Sequence, residues 1–151
     1  MAGEKQDAVW PVPNMHFKVT LGDKGEVAFQ KVVGLNVKFE VVEYRAGNSV
    51  EAANVKMPLS RTFNDVTLRK GMFAKDVHLF KWLNEIKLNT IARQNVTIQL
   101  LDEENNALFT WNLKNAFPRE IIFGEFDAMK ATFAVEELVL AHEGLNLEEN
   151  G

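Results

Sequence analysis

The sequence predicts a mainly β fold, α+β by strict count: an antiparallel β-barrel or sandwich of about seven or eight strands with one flanking α-helix and a long extended inter-strand loop. Three observations carry this. Val27 to Arg45 is a long Val- and Phe-rich run whose second half alternates residue by residue, the period of a pleated strand. Asn95–Leu101 and Leu108–Phe117 alternate in the same way across a polar connector, as the arms of a hairpin do. Only one stretch, beginning near Asp76, spaces its apolar residues as a helix would.

Taken in order, residues 1–14 read as an N-terminal arm, stiffened by Trp10-Pro11-Val12-Pro13 because each proline fixes its own φ and steers its predecessor away from helix. Met15, Phe17 and Val19 then alternate with His16, Lys18 and Thr20, and Gly22-Asp23-Lys24-Gly25 supplies a turn into the long run. Gly34 divides that run into two strands, which with the first suggest an antiparallel meander. In the second half Val37, Phe39 and Val41 share one face, and Lys38, Glu40 and Val42 the other. The first face reads as core, so a charge at Phe39 is expected to prevent folding. Ala46 to Arg61 shows no clear period, and about 15 such residues are long for a connection inside a compact domain.

Val66–Lys70 is a short strand stopped by Gly71. Asp76 is placed to cap a helix in which Val77, Phe80, Leu83 and Ile86 recur at helical spacing. Leu79 and Trp82 widen its apolar sector toward either the subunit's own sheet or a neighbour. In the hairpin, Val96, Ile98 and Leu100 oppose Phe109, Trp111 and Leu113 across Asp102-Glu103-Glu104-Asn105-Asn106. Pro118 is expected to end the second arm, Arg119–Glu125 to form a weaker strand bent at Gly124, and Ala128–His142 to close the domain as a long strand. The domain is therefore 15–142, with 143–151 an acidic C-terminal tail.

Composition excludes several function classes. The apolar fraction of 46% and charged fraction of 25% belong to a globular domain, and 151 residues suffice for a core. A net charge of −4, with no block of one sign, argues against sequence-specific nucleic-acid binding. No cysteine is present, so there is no disulfide or thiolate metal site. No secretory leader or membrane-spanning run is read, so the chain is expected to be made and assembled in the cytoplasm. His16, His78 and His142 form no H-x-x-x-H pair, and neither Ser49 nor Ser60 lies in a nucleophile elbow. Glu136 and Glu137 point to opposite strand faces and cannot flank one substrate. The acidic turn lacks the spacing of a calcium loop. The reading is no enzyme, no cofactor and no metal. A hydrolase using Ser60 and His142 is the weakest alternative, and a barrel holding a small ligand a stronger one. What remains are features of assembly: strands polar on their second faces (Lys38, Glu40, Thr97, Gln99, Asn112, Lys114), and sheet edges open to pairing.

Seven segments then occur in order: W-P-V-P at Trp10, V-V-G-L at Val32, F-E-V-V-E-Y-R-A-G-N at Phe39, V-T-L-R-K-G at Val66, K-W-L-N at Lys81, W-N-L-K-N-A-F-P at Trp111 and V-E-E-L-V-L-A-H-E-G-L at Val135. Together they resemble the inner-tube proteins of contractile phage tails and of extracellular contractile injection systems, which are similar to the haemolysin-coregulated tube protein of type VI secretion. The resemblance implies a structural subunit whose hexameric rings stack into a hollow conduit, driven through a target envelope when a sheath contracts. Implied partners are the chain itself, a sheath protein, baseplate and tube-terminator proteins, and effector cargo in the lumen, within a particle released outside the cell. A tube-initiator or baseplate ring protein of the same fold is the near alternative. By position, the implied inter-subunit interface comprises Glu43, Tyr44, Arg45, Asn48, Glu51, Asn54, Lys56, Met57, Arg61, Arg69 and Lys70. Lys38, Glu40, Thr97 and Gln99 are the channel-facing candidates.

Overall fold

A computed structural model describes residues 16–44, 47, 55–72, 77–86 and 93–149. Among them, ten strands and one helix follow in order. These are β1 (Phe17–Leu21), β2 (Glu26–Val27), β3 (Lys31–Val33), β4 (Val37–Tyr44), β5 (Val55–Phe63), β6 (Val66–Gly71), α1 (His78–Asn84), β7 (Gln94–Leu101), β8 (Ala107–Phe123), β9 (Val135–Ala141) and β10 (Gly144–Glu149). Every pairing is antiparallel.

The expected hairpin lies at the centre of the arrangement. β7 and β8 pair with Val96 opposite Leu113 and Ile98 opposite Trp111. Their turn is closed by Asp102, whose carboxylate accepts from the backbone N–H of Glu104 and of Asn106, while Asn105 takes a positive φ of 66°. β1 adds to the far edge of β7, and β2 to β1. β8 is long enough to serve twice. Its first half pairs with β7 on one edge and β10 on the other, and its second half pairs with β9. β9 pairs in turn with β6, and β6 with β3. Two sheets thus share one strand.

The shared strand changes sheets at Asn115, which adopts a left-handed φ of 51°, a conformation asparagine tolerates better than most residues. The Asn95 side chain accepts the Asn115 N–H at 3.1 Å. The Asn115 amide donates to Glu143 at 2.8 Å, and Arg93 pairs with the same carboxylate. Pro118 does not end the strand as expected. It lies buried within it, where the β8–β9 register slips between Pro118 and Glu120, and the slip accommodates a residue without a backbone donor.

One apolar cluster fills the space between the sheets: Val19, Leu21, Val96, Ile98 and Leu113 from the first, Val66, Leu68, Leu138 and Leu140 from the second, and Leu79 and Trp82 from α1. Leu79 and Trp82 therefore face the subunit's own core. A charged pair sits on this inward side of the second sheet. Lys70 and Glu136, 3% and 4% exposed, meet at 2.9 Å, and the Lys70 ammonium also donates to the Gly71 carbonyl.

The antiparallel sandwich with one helix matches the expected fold class, and several finer expectations are corrected. The strand path begins at β2 and ends at β3 without closing into a barrel among the described residues. No meander forms, because β3 pairs with β6 and β4 with β5. The loop expected to run to Arg61 ends earlier, in β5. Residues 144–149, expected as a tail, form β10, with Leu145 paired to Leu113 and Leu147 to Trp111. The closing strand begins only at Val135, because the Asp127 carboxylate accepts from Met129 N–H and its carbonyl from Lys130 N–H, turning the chain before it can extend. The arm at 1–14 and the Asp76 cap lie outside the described residues.

Two predictions follow from these contacts. Glu136→Ala strands a buried ammonium and should lower stability by about 3–5 kcal/mol, whereas the double change Lys70→Met with Glu136→Leu should restore most of it; chemical denaturation of the three variants checks this. The hydrogen bond from Asn115, and then the charge of Arg93, hold the Glu143 carboxyl below its ordinary value of 4.5 against an opposing desolvation. A depressed folded pKa makes its contribution complete above that ordinary value and lost as pH falls through the lowered one. An NMR titration should place the Glu143 midpoint below 4.5, and Asn115→Ala should move it upward.

Candidate assembly surface

β4 and β5 form a sheet of their own, connected along the chain to the sandwich through 34–36 and 64–65. At this neck Gly34 has a φ of +101°, and a Cβ there would lie 2.2 Å from the Asp65 carbonyl oxygen, so only glycine fits. Pairing runs from Val37 opposite Phe63 out to Tyr44 opposite Val55. Between Phe39 and Val41 the partner strand contributes one extra residue, a bulge near Leu59 and Ser60. The Arg61 guanidinium lies 5.4 Å over the Phe39 ring, and Glu43 reaches Lys56 at 3.9 Å.

Every residue of β4 is exposed, and so are Val55 to Arg61 of β5. This overturns the expectation that Val37, Phe39 and Val41 pack in the core: Phe39 is 50% exposed. The alternation is real, but no part of the described subunit covers either face. Opposite residues of a pair share a face, so Val42 with Met57 and Tyr44 with Val55 make an apolar quartet toward the outer end. Tyr44 and Val55 are each 59% exposed. Large apolar groups gathered in one exposed element mark an interaction surface.

Of the expected interface residues, Glu43, Tyr44, Lys56, Met57 and Arg61 all lie on this hairpin, and Arg45, Asn48, Glu51 and Asn54 fall outside the described residues. Arg69 lies on the outward side of β6, between Lys31 of β3 and Glu137 of β9. Lys70 points inward to Glu136 and is withdrawn from the set, since a buried side chain cannot meet a neighbour.

The channel-facing candidates divide between two places. Lys38 and Glu40 lie on the hairpin. Thr97 and Gln99 lie on the outer face of the first sheet, in two polar rows that cross it strand by strand. One row is Glu26, Thr20, Thr97, Asn112 and Asn146; the other is Lys18, Gln99, Thr110 and Glu148. The Thr97 hydroxyl lies 3.2 Å from the Asn112 side-chain oxygen, and Lys18 pairs with Glu26 at 3.1 Å. Sequence alternation found Thr97, Gln99, Asn112 and Lys114 but could not join them to Lys18, Thr20, Asn146 and Glu148, because strand order is not local information.

Among the described residues no group of three or more His, Asp or Glu could hold a metal ion, and no helix is long and apolar enough to cross a membrane. His142 is held between the Gly144 and Asn64 carbonyls and against the Phe63 ring, which ties β10 to the hairpin neck.

Residues 13–146 match the family model of the T4-like virus tail tube protein gp19. Among solved structures, a chain of the PVC extracellular contractile injection system, in its sheath–tube complex in the extended state, is 33% identical, with 95% of each chain covered and a TM-score of 0.87. A chain from the anti-feeding prophage cap (AFP tube terminating cap) is 31% identical, with 99% of each chain covered and a TM-score of 0.87. Hcp1 from Flavobacterium johnsoniae, 12% identical over 89% of this chain and 95% of its own with a TM-score of 0.54, shares the fold. No curated protein sequence matches.

With Phe39 outside the core, Phe39→Asp should leave the sandwich folded, its stability changed within about 0.5 kcal/mol, as for an ordinary surface substitution. Thermal melts followed by circular dichroism check this; loss of the folded signal would return Phe39 to the core.

Proposed function

The chain belongs to the T4-like virus tail tube protein family and is a structural subunit of a tail tube; on that premise we propose that its rings are hexameric and stack into a hollow conduit, with the β4–β5 hairpin as the arm that reaches from one subunit to another. The observation that carries this is the hairpin itself, an element with apolar side chains on both faces and no cover from the described part of its own subunit. A monomeric protein gains nothing from such an element, whereas a subunit gains the burial of that surface on assembly. Glu43, Tyr44, Lys56, Met57 and Arg61 form the described part of the arm's contact surface.

The polar rows of the first sheet are the surface best suited to a water-filled lumen. Apart from Thr110, which is buried, they present hydroxyls, amides and charges of both signs, so they would wet the channel without holding either a cationic or an anionic passenger tightly. Thr97 and Gln99 accordingly remain lumen candidates, while Lys38 and Glu40 belong to the arm. The sandwich interior is filled by side chains, which supports a structural part over a small-ligand barrel. Sheath and baseplate proteins are the partners of such a tube, effector cargo is its passenger, and the tube forms part of an extracellular contractile injection particle assembled in the cytoplasm.

Electron microscopy of the purified protein and of native particles tests the reading. Stacked six-fold rings at high copy number within sheathed particles are expected. Monodisperse monomers with no association with such particles would overturn it, and a copy number of a single ring per particle would reassign the chain to tube initiation. Tyr44→Asp should abolish the stacked assemblies while leaving the circular dichroism of the subunit unchanged.

A further inference from the structure

The loop between β8 and β9 carries the most exposed large apolar side chains of the described subunit: Met129 and Phe133 are 92% and 87% exposed, and Phe126 stands out beside them. The loop has a built backbone. Gly124 N–H donates to the Val135 carbonyl and Met72 N–H to the Ala134 carbonyl, both at 2.9 Å. The Asp127 carboxylate fixes the turn at Met129, and Lys130 bridges Glu125 and Asp127. Phe126 and Phe133 border an open depression of about 420 Å³, and nothing in the described subunit fills it.

Its place in the fold says what could. In the second sheet Val66 pairs with Leu140 and Gly71 with Val135. The hairpin joins β6 just before Val66, and the loop joins β9 just before Val135. The two apolar features therefore leave opposite ends of the same strand pair, separated by roughly 17 Å of strand at the usual rise per residue. An apolar projection at one end and an apolar seat at the other is an arrangement that can repeat head to tail from copy to copy. Charge agrees: the described hairpin has one more cation than acid, and the loop from 124 to 134 one more acid than cation.

We propose that the Phe126–Met129–Phe133 end of one subunit is the seat for the hairpin quartet of a second copy, Tyr44 and Met57 foremost, and that this contact stacks subunits along the tube. The proposal rests on the tube reading and deepens it by naming the surface that receives the arm. Apolar contact supplies the attraction, and the acidic rim around Asp127 sets the hairpin's orientation through Lys56 and Arg61.

Because the chain has no cysteine, two introduced thiols can only bond to each other. Met57→Cys combined with Phe133→Cys, assembled and then mildly oxidised, should give a ladder of covalent multimers on a denaturing, non-reducing gel, while each single variant stays monomeric; dimers of a single variant would show like-with-like contact and overturn the proposal. Tubes that form without a ladder would overturn the proposal and leave the tube reading standing; absence of the unaltered chain from tubes both in vitro and in native sheathed particles would overturn the tube reading itself. A second measurement serves if the double variant does not assemble. Phe133→Asp and Tyr44→Asp should each stay folded and fail to form tubes alone, yet when mixed should pair through the one intact seat and the one intact arm, in complexes that grow no further. Normal tubes from Phe133→Asp would overturn the proposal, and tubes that are normal but no longer recruit sheath would assign the seat to the sheath protein.

Discussion

One strand holds the molecule together by belonging to two sheets. β8 spans 17 residues, and its halves lie against different partners, so the placement of one sheet fixes where the other begins. The bend at Asn115 permits this, and Arg93 and Asn95 at the start of β7 clamp it together with Glu143 from the link between β9 and β10. With the sheets so joined, the apolar faces of β1, β7, β6 and β9 are brought together, and α1 is left only one place to bury Leu79 and Trp82. The outward faces and the two ends of the second sheet then have fixed positions, and those are the surfaces left for assembly.

The sandwich was legible wherever alternation was unbroken and flanked by turn residues. The β7–β8 hairpin is the clearest case: Val96, Ile98, Phe109, Trp111 and Leu113 declare their faces, and Asp102 to Asn106 can hardly be anything but a turn. β5 was illegible because Pro58 and the bulge at Leu59–Ser60 break the period. β10 was illegible because Leu145 and Leu147 are its only large apolar groups, in a run of Asn and Glu. Residues 128–134 misled in the other direction, since Met129, Ala131 and Phe133 alternate well and yet turn away from the sheet.

Burial was less legible than pairing, for a physical reason. A period of two shows which side chains share a face and says nothing of whether that face is covered. Phe39 and Leu68 look alike in the sequence, and one faces solvent while the other is in the core. Lys70 shows the opposite error. Its position in the family resemblance implied an interface role, but its parity with Val66 and Leu68, matched by Glu136 with Leu138 and Leu140, places both charges inward. Two ions of opposite sign at inward positions on neighbouring strands are a better sign of a buried pair than either alone. The family, by contrast, was legible from seven short segments, because their order and spacing constrain far more than any one of them.

The neck at Gly34 and Asp65 has one more consequence. A two-stranded ribbon standing alone in water is only marginally stable, so a free subunit carries an arm that is frayed part of the time and sticky when it is not. Covering it on assembly therefore does two things at once: it removes the apolar groups of the arm from water and holds its two strands together, so a neighbour completes the fold of the arm as well as the contact.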